Sequence, residues 1–160
     1  MGKTNTMFVL YMRELMYDIE NKTYLTGRSK LDASPADVAH MQVTERTEEK
    51  NQVLRSIGAA YRSLFAQLAE WLNIENTTRA DDGLIANTDI IINLLLPGNF
   101  NKGMHEVIAD AMHNYIVNMA VSDWFSMTNK GDADLYAKKA VAEVAKLKEA
   151  IYKRYRPTRT

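Results

Sequence analysis

VIADAMHNYIVNMAVSDWFSM, Val107 to Met127, is the stretch that decides how this chain folds. It is nearly all apolar, so it has no continuous wet face of the kind a surface helix needs, and it reads as a buried central helix. Asp110 and Asp123 bracket its apolar middle, Ala111 to Ala120, so the run is core and not a membrane span. The helix begins at Gly103-Met104, reaches about Thr128 and is broken by Asn129-Lys130-Gly131. Asp132 then caps a last helix with the stripe Ala133, Ala137, Ala140, Val144, Leu147, Ile151 and Tyr155, whose small residues permit close approach, and Pro157 stops it. The helix ends in Lys153-Arg154-Tyr155-Arg156-Pro157-Thr158-Arg159-Thr160, which leaves a basic tail free to reach a partner.

Upstream, a first helix is expected over Met7 to Asn21, capped by Asn5 or Thr6, with Leu10, Leu15 and Ile19 supplying apolar surface. Thr23 to Ser34 loses periodicity and reads as a loop or extended arm. Ser34-Pro35-Ala36-Asp37 opens a short helix: serine accepts from first-turn amides, proline sits where no donor is needed, and aspartate faces the positive end of the dipole. A further start at Thr44 or Thr47 leads into Leu54, Ile57, Tyr61, Leu64, Leu68 and Trp71, spaced alternately three and four apart. That seam packs either within the chain or between subunits.

Asn73 to Asn87 has a loop composition, and Asp89 to Pro97 is a short buried strand, its length and its Pro97-Gly98-Asn99 terminator arguing against a helix. Its nearest candidate partner is Leu84-Ile85, in a small hairpin that serves for docking or as a structural patch. The expectation is one mainly α domain over residues 1–160: a bundle of four to five helices, an arm and short helix at 23–50, a hairpin at 84–96 and a basic tail at 154–160.

A chain of 160 residues buries enough surface for a core without metal or disulfide. Cysteine is absent, which excludes thiolate metal sites, disulfides and cysteine nucleophiles and suits a reducing cytosol. Twenty basic residues balance twenty acidic ones, so no global pull toward nucleic acid exists. The distribution is lopsided: Lys146, Lys148, Lys153, Arg154, Arg156 and Arg159 face only Glu149 from Lys146 onward. Surfaces of opposite sign suit head-to-tail docking of identical subunits, and a heterologous contact closes into a ring when the rotation permits. The alternative is that these cations complement the dipole at a helix C-terminus.

Glu106, Asp110 and His113 share one side of the central helix, and Asp37-Val38-Ala39-His40 repeats the Asp-x-x-His spacing of Asp110 to His113. Such groups hold divalent metals in helical bundles, but there with glutamate, and here they are read as the wet edges of helix starts. Gly2-Lys3-Thr4 lacks the glycine and strand of a phosphate loop. No patterned nucleophile exists. The tyrosines, tryptophans and methionines, at helical spacing, read as core, with Trp124 and Phe125 closing the bundle. The residues therefore point to a non-enzymatic role, with no cofactor and no metal, and with Arg154, Tyr155, Arg156, Pro157 and Arg159 as the partner-binding candidates.

Leu96-Pro97-Gly98-Asn99-Phe100-Asn101, His113-Asn114-Tyr115-Ile116-Val117, Asp123-Trp124-Phe125, Ala133, Tyr136-Ala137 and Lys153-Arg154-Tyr155-Arg156-Pro157 form one pattern, with Tyr17 to Tyr24 near the start. It resembles small proteins of the structural gene cassettes of tailed phages and prophages, particularly those of gut Bacteroidetes. In architecture the chain is similar to head–tail connector (adaptor) proteins. The resemblance implies a virion subunit of the neck, assembled in the host cytoplasm as a homo-oligomeric, dodecameric ring between portal and tail proteins, with DNA in its channel. Other head- or tail-completion roles, and a small helical regulatory or nucleic-acid-binding protein, are the alternatives.

Overall fold

Alternation between Phe8 and Leu10, both buried, and Met7, 55% exposed, makes the N-terminus a strand and not the start of a helix. In the computed structural model, which describes residues 2–29, 34–44, 46–79 and 85–157, this strand, β1, spans Lys3–Leu10. The first helix is accordingly displaced: α1 runs over Met12–Arg28, with Asp89 Oδ1 accepting from the Met12 amide at 3.0 Å. Met7 to Leu10 is an unbroken apolar run, which period alone does not assign to helix or strand.

The loop expected at Thr23 to Ser34 is helical as far as Arg28 because tertiary packing holds its last turns. Thr23 is fully buried; its hydroxyl donates to the Glu20 carbonyl at 3.0 Å and accepts from the Val43 amide at 3.1 Å. Gly27 lies against the next helix, α2 (Pro35–Met41), where an added Cβ would stand 3.2 Å from Val38 Cγ1. Residues 30–33, the remainder of the expected arm, lie outside the described residues.

Helix α3, Thr47–Leu68, carries the expected seam, and Leu54, Ile57, Tyr61, Leu64, Leu68 and the following Trp71 are all buried. The seam packs within the chain, against helix α4, His105–Thr128. Tyr61 donates from its hydroxyl to the Thr78 carbonyl at 2.6 Å, and burial pushes its phenol well above the ordinary range. Helix α4 is the buried central helix, entered by a 3-10 turn, Lys102–Met104, in which Asn101 Oδ1 accepts from the Gly103 amide at 3.0 Å. Trp124 ties α4 to the end of α2, its indole donating to the Met41 carbonyl at 2.7 Å.

The outer helix, α5, spans Lys130–Ile151 and takes in Lys130 and Gly131, where a break was expected. Asn129 is its N-cap and donates from Nδ2 to Asp132 at 2.7 Å. Tyr136, Ala140, Leu147 and Ile151 are its buried stripe. The helix stops at Ile151, well before Pro157, and Tyr155 does not extend the stripe.

Strand β2, Ile90–Pro97, is where the sequence led us to expect a strand. Its partner is β1, antiparallel, in a register running from Lys3 opposite Pro97 to Leu10 opposite Ile90, and not Leu84-Ile85. Ile85 is buried in the core, and Leu84 lies outside the described residues. The other side of β2 is lined by the stretch after α3: the Leu95 amide donates to the Trp71 carbonyl at 2.7 Å, and the Thr78 amide to Ile91 at 2.8 Å. Among the described residues, five α-helices and one two-stranded antiparallel sheet make the fold mainly α, built around one core cluster.

The alternation in β1 has a direct test. Phe8→Ala is expected to destabilise the domain by about 3–5 kcal/mol and Met7→Ala by no more than about 0.5 kcal/mol, in urea unfolding followed by circular dichroism. Equal losses would contradict the strand.

Candidate interaction surface

In an antiparallel ladder, residues along one strand turn their backbone groups alternately toward and away from the partner. The Gly98 amide donates to Gly2 at 3.1 Å, which sets the parity: Thr4, Thr6, Phe8 and Leu10 face β2, and Lys3, Asn5, Met7 and Val9 face outward. The outward Met7 carbonyl accepts from His105 Nε2 at 2.8 Å, and the imidazole stacks on Phe8 with ring centroids 4.4 Å apart. The outward groups of Lys3, Asn5 and Val9 have no backbone partner among the described residues, so β1 is an open edge. Its exposed face is fastened by amides: Asn5 Nδ2 donates to Asn93 and Asn73 Nδ2 donates to Asn5, each at 2.8 Å.

At the Leu10 end of this edge lies a shallow cleft of about 340 Å³ between α1 and α4. Glu106, Asp110 and His113 line it, as their shared helix side implied, and α1 adds Glu14 and Asp18. His113 Nε2 and Asp18 Oδ2 are 2.5 Å apart, with the side chains 17% and 35% exposed, so this pair braces α1 on α4. Glu14, Glu106 and Asp110 are exposed, and the cleft is acidic at its rim. Asp37 and His40 sit on α2; His40 is exposed and does not line the cleft. Among the described residues no three His, Asp or Glu side chains gather in a way that could hold a metal ion.

At the Lys3 end the surface is basic. The tail, expected to be free, is tied down at its root: Asn101 N donates to the Lys153 carbonyl at 3.1 Å, Tyr155 N to Asn99 at 2.9 Å, and Arg154 pairs with Phe100. The reason is the backbone left unpaired where α5 ends, which finds partners in the loop after β2. Arg154 Nη1 donates to the Ile151 carbonyl at 2.6 Å and to Lys153 at 3.0 Å, closing the helix end. Lys153 has an exposed ion pair with Glu149 at 3.7 Å. Tyr155, 51% exposed, and the exposed Arg156 and Pro157 project beyond, while Arg159 lies outside the described residues.

This pairing brings two further cations into view that sequence reasoning missed. Lys102, one residue past Asn101, lines a groove of about 450 Å³ along the first half of β1 with Phe100 and His105, and Lys3 stands opposite Pro97. No local pattern marks either lysine; only the long-range pairing of residues 2–10 and 153–155 with 90–101 joins them to the tail. The eight-residue strand thus runs about 25 Å from a basic end to an acidic one.

No protein-family model, curated protein or solved structure significantly matches the chain. Among the described residues no helix is long and apolar enough to cross a membrane.

The two arginines at the tail root divide by role. Arg154→Ala removes a charged donor from the α5 end and is expected to cost about 1–2 kcal/mol of stability. Arg156→Ala is expected to change stability by no more than about 0.5 kcal/mol. Thermal unfolding of the two variants measures the difference, and indistinguishable midpoints would mean that Arg154 does not close the helix.

Proposed function

We propose that the protein is a non-catalytic assembly subunit of a phage particle, a head–tail connector whose copies pack side by side in a ring and bind portal and tail proteins. The observation that carries an assembly role is the separation of charge along β1, with Lys3 and Arg156 at one end and Glu14 and Asp110 at the other in a chain of zero net charge. A neutral subunit with two surfaces of opposite sign has complementary patches for a neighbour of its own kind. The resemblance of Leu96 to Asn101, Asp123 to Phe125 and Lys153 to Pro157 to phage structural-cassette proteins supplies the particle and the neck position. Another head- or tail-completion role rests on the same two supports.

The basic end favours one other reading, contact with nucleic acid, since Lys3, Lys153 and Arg156 are exposed there. Phosphate contacts make affinity fall steeply with salt, so a duplex-binding titration at low and high ionic strength separates that reading from a protein-docking role.

Mass measurement of the purified chain, alone and mixed with a portal ring, tests the connector. The expected result is a closed oligomer or a stoichiometric complex with the ring. A strict monomer that ignores portal and tail proteins at any salt concentration would remove the proposal.

A further inference from the structure

We infer that the open edge of β1 is a docking site for the C-terminal segment of a second copy of this chain, Tyr155 to Pro157, with Arg156 seated among Glu106 and Asp110. The inference rests on the proposed association of like subunits and names the contact that joins them. Three observations carry it.

The edge has unused hydrogen-bonding capacity where the cleft is. Val9 turns its amide and carbonyl outward, and its neighbour along the edge, Met7, keeps a free outward amide while His105 occupies its carbonyl. A short extended segment laid there adds a strand, its main chain giving affinity and its side chains selectivity. His105 marks how far along β1 such a strand can reach.

The occupant is matched in charge and shape. Tyr155 to Pro157 lies outside any helix, exposed and cationic, and the cleft rim is anionic with Val9, Leu10 and Ala109 as its apolar part, against which the Tyr155 ring can lie. Proline lacks an amide, which is tolerated on the outermost strand of a sheet.

The contact cannot be made within one chain. Tyr155 is held by Asn99, next to the Lys3 end of β1, whereas Val9 lies six residues farther along the strand, about 20 Å away. An arginine one residue beyond Tyr155 does not span that distance. The tail and the cleft are different patches, so each copy presents both and the contact is heterologous, closing into a ring or continuing as a filament.

The absence of cysteine makes the test clean. Tyr11, 58% exposed at the cleft, and Pro157 are each replaced by cysteine in the full chain, singly and together. Mild oxidation of Tyr11→Cys/Pro157→Cys is expected to give a reducible ladder of dimers, trimers and larger species on a non-reducing gel. A mixture of the two single variants is expected to give dimers above the amount either forms alone. A cross-link confined to the monomer, or none, overturns the inference. Arg156→Glu is expected to lower the ladder yield about tenfold, and adding Asp110→Arg to restore it; an unchanged yield in Arg156→Glu also overturns it. An oligomer by mass, or portal binding, without the ladder would sink this contact and leave the connector standing. A ladder in a protein that ignores portal and tail proteins would do the reverse.

Discussion

Both edges of strand β2 have to be paired, and most of the architecture follows from that requirement. Ile90, Ile92, Leu94 and Leu96 are fully buried, so an unpaired amide or carbonyl along the strand would cost about 1–3 kcal/mol with no water to compensate. One edge is taken by β1. The other is taken piecemeal: Leu95 N donates to the Trp71 carbonyl, Asn93 N to the Thr77 hydroxyl at 3.0 Å and Ile91 N to the Thr78 hydroxyl at 2.9 Å. Side-chain oxygens stand in where the chain is too irregular to form a third strand. The exit from α3, the loop that follows it and the N-terminal residues are all committed to this one strand.

The parts of the fold legible in the sequence were those whose evidence is local. The apolar run at Val107 to Met127, the three-four spacing of the α3 seam and the Ile90 to Leu96 run each carry their assignment within their own residues. What was not legible depended on distant partners. Met7 to Leu10 becomes a strand because β2 needs an edge, the last turns of α1 stay helical because Thr23 and Gly27 pack on residues 38–43, and α5 ends early because Asn99 to Asn101 receive its exit. In each case tertiary pairing overrode local propensity.

The candidate surface divides along the same line. Glu106, Asp110 and His113 announce a shared face through helical spacing, and the tail announces its charge through composition. Their companions carry no such mark. Asp18 reaches His113 across an interface between α1 and α4, and Lys102 comes beside the tail through two backbone hydrogen bonds. The neutral total also hides the polarity, because an even count of charges says nothing about where they stand.

The pairing of β1 with β2 also sets an order in time. Residues 3–10 leave the ribosome well before their partners at 90–97, so Phe8 and Leu10 must wait unpaired while about 80 intervening residues are made. Contacts this far apart in sequence slow folding, because the loop has to close before the sheet contributes any stability. A nascent chain that carries an unpaired, half-apolar strand is vulnerable to mispairing with its neighbours on a crowded polysome. The polar start of that strand, Lys3-Thr4-Asn5-Thr6, limits the sticky part to its last four residues during the wait.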